Sequence, residues 1–164
     1  MNKHESQRGY FAHYIYRRMK MNKAIMLVCI DLGYHVFDQH FMDMPKQTIN
    51  TGASEQAAMD MAVGLALAGR IPFVYSITPF LLFRPFETLR TYIDHERIPV
   101  MLVGSGRDTD YEHDGFSHNA TDDSLILSTL HNIRQYRPAT KDEVPTMVNL
   151  MITQKEPAYI NLSR

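Results

Sequence analysis

The chain has 164 residues, 17 Lys and Arg against 18 Asp and Glu, and a hydrophobic share of 45%. That suits one soluble domain, residues 1–164, with enough apolar side chain to exclude disorder, and with no positive charge to neutralise nucleic-acid phosphates. The single cysteine, Cys29, excludes an internal disulfide and a cysteine-based zinc site, and no uncharged apolar run reaches the roughly 18 residues of a membrane span.

The basic stretch from Met1 to Lys23 lacks the apolar centre of a signal peptide, so the reducing cytoplasm is the expected compartment. Within it, Tyr10, Phe11, Tyr14, Ile15 and Arg18 fall at helical spacing and predict a helix over Gln7 to Met21. The unbroken run Ala24 to Ile30 suits a strand buried on both faces and ends at Asp31-Leu32-Gly33. Asn50 to Ser54 is turn chemistry, with Ser54 the expected N-cap of a helix that starts at Glu55 and stops at Gly69. After Gln56 that helix has Asp60 as its one polar residue, which predicts burial nearly all round. Pro72 to Ile77 reads as a strand, and Phe80 to Glu96 as a helical stretch bent at Pro85. Pro99 to Val103 reads as a strand, Arg107 to Asp123 as a polar loop, and Ser124 to Asn132 as a short helix. A helix over Asp142 to Ile152 and a strand over Pro157 to Leu162 complete the chain. Strands alternating with helices imply an α/β fold: a three-layer, doubly wound, mostly parallel sheet with helices on both faces. Ligands of such sheets sit beyond the carboxyl ends of the strands, where Asp31, Ser76 to Phe86 and Gly104 to His118 all fall.

Glu55 opens an almost wholly apolar helix. Desolvation there favours a protonated carboxyl, and the helix N-terminus favours the anion. On pattern alone, a first-turn glutamate is more often a capping residue than a catalytic one. Phe80, Phe83 and Phe86 recur every three residues after a strand, which gives either core packing or a wall against a flat heterocycle. Tyr111 to His118 holds two histidines and several carboxylates, but His113 and His118 lie five apart on a loop containing Gly115. That is no recognised metal spacing, so no metal site is expected in this chain, and a polar substrate loop fits better.

Taken in order, Asn50-Thr-Gly-Ala-Ser-Glu-Gln56 with its small-residue helix, Asp31-Leu32, Ser76 to Phe86 and Asp114-Gly-Phe-Ser-His118 resemble the pyrimidine-binding (Pyr) domain of transketolase-like thiamine diphosphate enzymes. The resemblance implies the thiamine diphosphate-binding fold. It also implies that Glu55 hydrogen-bonds N1′ of the cofactor's aminopyrimidine and thereby activates the thiazolium carbon. Asp31, Phe80, Phe83 and Phe86 would bind the cofactor. His118 would act in catalysis, and Arg8, Asp114 and His118 would meet the substrate, a sugar phosphate or a 2-oxo acid.

Phe116 and Ser117 replace the family's Pro and Thr in the histidine loop, and Phe116 would narrow the substrate entrance. The Gly-Asp-Gly and downstream Asn of the family's diphosphate-binding (PP) domain are absent, as is its C-terminal domain. The resemblance therefore implies a separate PP-domain subunit, which holds the Mg²⁺ and the diphosphate, in a homodimer or heterotetramer. No nucleic-acid or membrane partner is expected. The activity implied is ketol transfer or related carbon–carbon bond chemistry. The alternatives are 2-oxo acid decarboxylation and a non-catalytic domain of the same fold.

Overall fold

Strand β1 (Ile25–Cys29) is buried along its whole length, as an unbroken apolar run between two helical layers must be. In this computed structural model, which describes residues 5–164, it lies inside a six-stranded sheet of order β2-β1-β3-β4-β6-β5. The first four residues of the basic N-terminal stretch lie outside the described residues. The other strands are β2 (Thr48–Asn50), β3 (Ile71–Ile77), β4 (Met101–Ser105), β5 (Arg134–Tyr136) and β6 (Ala158–Leu162), and every pairing is parallel. The predicted α/β class holds. The sequence reading missed β2 and β5, three-residue edge strands with too few residues to show alternation.

Side chains alternate across the sheet and feed two cores. Phe73 and Tyr75 join Phe11, Ile15 and Phe37 under α1 (Gln7–Met21), α2 (Asp38–Asp43) and α7 (Val144–Gln154). Val74 and Leu102 join Ala58, Leu81 and Leu89 under α3 (Glu55–Leu67), α4 (Thr78–Phe83) and a π-helical turn, Leu89–His95. As expected, Pro85 breaks the helical stretch, and a short α5 (Phe86–Thr88) follows it. The remaining short helix is α6 (Asp123–Leu127).

Helix α3 corrects two expectations. Ser54 makes no side-chain cap; its amide instead donates to Gly52 O at 2.8 Å, in a turn closed by Asn50 Oδ1 on the Gly52 amide. Nor is the helix buried all round. Ala58, Met59, Ala62 and Val63 pack inward, while Met61 is 40% and Leu67 72% exposed, with Ala57 and Gly64 on the same open side. The sheet covers one side of α3 and leaves the other apolar side uncovered. Its end is as predicted. Gly69 takes φ +78°, with Gly69 N donating to Ala66 O and Arg70 N to Leu65 O, which closes the helix with paired carbonyls.

Strand order reverses at β1, whose neighbours β2 and β3 are reached in opposite directions. Such a switch point opens a crevice beyond the carboxyl ends of the strands. No helix of the described residues is long and apolar enough to cross a membrane.

Candidate functional site

A cavity of about 390 Å³ occupies that crevice. Leu32 and Gly33 after β1, Ile77 at the end of β3 and Ser105 at the end of β4 line it. Arg8, Asp114 and His118 border the same space, so the three predicted substrate residues come together although they come from a helix and a loop far apart in sequence. The larger hollow, about 530 Å³, lies at the opposite ends of the strands, among Arg97, His131, Arg134 and Lys155.

The cavity floor is a hydrogen-bonded cluster. Arg8 donates to the Tyr111 hydroxyl at 2.9 Å, and that hydroxyl pairs with Ser105 Oγ at 3.0 Å. The Tyr111 ring lies against Gly106, where φ is +86° and an added Cβ would come within 2.3 Å of the ring. Gly106 is therefore required both by backbone and by space. Beneath it runs a buried polar network. Thr78 Oγ1 donates to Gly106 O at 2.7 Å, and Asn161 Nδ2 donates to the Tyr159 hydroxyl at 2.8 Å. Burial, with Asp123 beside it, pushes the Tyr159 phenol up; burial likewise raises the Asp123 carboxyl, with Arg137 opposing. Arg107 ties the loop to β6 through Asn161 Oδ1 at 2.8 Å and reaches Pro138 O at 2.8 Å.

Next to the cavity lies the seat of Glu55. This first residue of α3 is 7% exposed and pairs with Arg84 through Oε1. Among the described residues its other oxygen, Oε2, accepts no hydrogen bond. The Arg84 guanidinium also lies 3.9 Å from the centroid of Phe80, and the edge of Phe80 meets the His118 ring at 4.9 Å and 70°. Glu55, Arg84, Phe80 and His118 thus form one continuous surface that joins the cavity.

The other predicted residues are placed as follows. Phe83 is 37% exposed at the end of α4. Phe86, beyond the Pro85 break, packs against the core under α3, so it does not extend a wall with Phe80. Asp31 is exposed, in left-handed backbone with φ +50°, and makes no hydrogen bond with the described residues. Asp114 is exposed and lies 3.3 Å from His113. Phe116, expected to narrow the entrance, is 86% exposed and does not line the cavity. Sequence reasoning missed Arg84 and Tyr111. Arg84 is the one charge in the run Thr78 to Phe86, a signal in itself; Tyr111 carries none, because its role depends on Arg8 and Ser105. Among the described residues no group of three or more His, Cys, Asp or Glu side chains could hold a metal ion.

Comparison with known proteins settles the family. The model of the transketolase pyrimidine-binding domain matches residues 6–164. The chain belongs to that family. This Pyr domain is 27% identical to a subunit of the apulose-4-phosphate transketolase of Actinobacillus succinogenes, over 73% of the chain and 39% of the relative. A putative transketolase C-terminal section of Methanocaldococcus jannaschii is 26% identical, over 74% and 39%. An uncharacterized 33.6 kDa protein in the fasciation locus of Rhodococcoides fascians is 28% identical, over 88% and 46%, so the chain spans less than half the length of these relatives. A solved split-gene transketolase, an inactive β4 tetramer, superposes with TM-score 0.84 at 25% identity, over 97% of this chain and 52% of that one. The transketolase of Campylobacter jejuni shares the fold, with TM-score 0.86 at 18% identity over 96% of this chain and 25% of that one.

Proposed function

We propose that this Pyr domain is one subunit of a split, thiamine diphosphate-dependent enzyme of transketolase type. It transfers a two-carbon ketol unit once a separate PP-domain subunit completes the site. The observation that carries the reading is the Glu55 carboxylate, buried at a helix head with Oε2 unpartnered. The side chain keeps 9% of its surface exposed and Oε2 is not among the buried unpartnered atoms, so this oxygen is open to a group from outside the chain. An aminopyrimidine nitrogen fits it.

When bound, thiamine diphosphate supplies a nucleophilic carbon and an electron sink for making and breaking carbon–carbon bonds. The protein's own part is positioning and proton handling. Glu55 Oε2 holds the proton at ring nitrogen N1′. Phe83, exposed at the end of α4, would cover the ring face, with Phe80, under the Arg84 guanidinium, and Asp31, exposed beyond β1, as further cofactor contacts, while Phe86 braces the segment from the core. Arg8 binds the anionic end of a substrate, and His118 and Asp114 orient its hydroxyl or carbonyl oxygens. The cavity of about 390 Å³ suits a small sugar phosphate. Mg²⁺ and the diphosphate are held by the PP subunit. The open apolar side of α3 supports association, in a homodimer or heterotetramer.

The test is reconstitution with a candidate PP subunit, thiamine diphosphate and Mg²⁺. Ketol transfer that disappears in Glu55→Gln, with fold and assembly intact, supports the reading. CO₂ release from 2-oxo acids in its place moves the enzyme to the decarboxylase class. No cofactor binding in any combination marks a non-catalytic domain.

A further inference from the structure

Arg84 has no place in the mechanism so far, yet it makes the closest polar contact to its central residue. Its Nη1 grips Oε1 of Glu55, and its guanidinium lies over the Phe80 ring. The Glu55 side chain is 9% exposed and that of Arg84 49%. An exposed ion pair holds little order, because both partners have solvent and several rotamers available. Here one partner is buried and the other is flattened on an aromatic face, so the geometry is fixed from both sides. The backbone adds to this. Arg84 continues α4 in helical backbone at φ −67° and ψ −47°, and Pro85 follows directly. Phe80, the ring under the guanidinium, is itself braced by His118.

Glu55 therefore presents its two oxygens unequally. Oε1 is held by Arg84, and Oε2 has no partner among the described residues. We propose that Arg84 is a positioning residue: by holding Oε1 it fixes the Glu55 carboxylate in one rotamer and aims Oε2 at the flat nitrogen heterocycle of the cofactor. The inference rests on the reading of Glu55 as the cofactor's partner. The opposite role is an arginine that blocks the carboxylate and must leave before the ring enters, and the test separates the two.

Three variants are compared, Glu55→Gln, Arg84→Met and Arg84→Lys, in the chain alone and in the complex with its PP subunit. In the chain alone, nitrogen NMR of the Arg84 guanidinium shows restricted rotation that Glu55→Gln releases; free rotation in the parent protein overturns the proposal. In the complex, thiamine diphosphate with Mg²⁺ is titrated by calorimetry. Arg84→Met weakens cofactor binding at least tenfold and lowers kcat at saturating cofactor. Arg84→Lys, which keeps the charge and loses the planar fork, recovers part of both. Unchanged or tighter cofactor binding in Arg84→Met overturns the positioning role, and tighter binding identifies a block. Full turnover in Glu55→Gln overturns the reading of Glu55 and the positioning role with it. Lost turnover in Glu55→Gln beside a neutral Arg84→Met overturns the positioning role alone.

Discussion

The Glu55 seat and the loop from Arg107 to Asp122 flank the same crevice and are held in different ways. The seat is built at the ends of regular elements: Glu55 heads α3, and Arg84 follows the last residue of α4. Both helices pack on the core between α3 and the sheet. The loop is held at separate points instead, Arg107 into β6, Tyr111 onto Arg8 and Ser105, Asp108 by Arg137, Asp110 by the Arg164 amide and His118 against Phe80. Past Tyr111, from Glu112 to Ser117, its side chains are open, with Asp114 exposed and Phe116 86% exposed. Elements with a packed core beneath them fix a side chain closely, whereas an exposed loop fixes only its anchored points. The departures from the family pattern, Phe116 and Ser117, lie on the loop, where a substitution disturbs no core.

The strongest way to break this comparison is at the seat. Glu55→Gln in the reconstituted enzyme is expected to lower turnover by about 10²–10⁴-fold, the usual share of a positioned acid or base. Circular dichroism of the variant should match the parent, and a loss below tenfold would make the seat no more critical than the loop. At the other end, Arg107→Ala removes a tether and takes the Arg107 donors from Asn161 O and Oδ1, while Pro138 O keeps Gln7 Nε2. A loss of about 3 kcal/mol in urea unfolding is expected, with the Glu55–Arg84 pair unchanged by NMR. A stability equal to the parent's would show that the loop stands without that tether.

Any pH series across the two regions must allow for His40, which lies in neither. Its ring is fully buried, donates through Nε2 to Ala12 O at 3.0 Å, and has its pKa pushed down to about 4 by burial. The unfolded chain takes up the proton first, near the ordinary value of about 6.5. Stability is therefore fully present above about pH 6.5 and falls as pH drops toward 4, at up to about 1.4 kcal/mol per unit. Denaturant midpoints between pH 7 and pH 4.5 measure it, and His40→Gln should flatten the slope. The smallest effect is expected on the open side of α3. Met61→Asp should change monomer stability by less than about 0.5 kcal/mol and shift the sedimenting species to lower mass. An unchanged mass would remove that side from the association surface.

Much of the scaffold was legible because its signals are local. The apolar runs of β1 and β3, the helical spacing of Tyr10 to Arg18, and Gly69 and Pro85 as stops each act within a few residues. The edge strands β2 and β5 were not legible, since three residues carry no period and form only because a neighbouring strand offers its hydrogen bonds. In the site, the motif order singled out Glu55 and the loop holding Asp114 and His118, but not how they are held.

The order of residues by itself determined the α/β layering, the position of Glu55 at the head of an apolar helix, and the crevice end of the sheet. Those follow from hydrophobic period and turn chemistry, which a chain expresses wherever it folds. Only the tertiary structure decided that Arg84 meets Glu55 across 29 residues, that Arg8 meets Tyr111 across 103, and that one apolar side of α3 stays open. Such contacts depend on how whole elements are stacked, and no local pattern records the side chain that arrives from the far end of the chain.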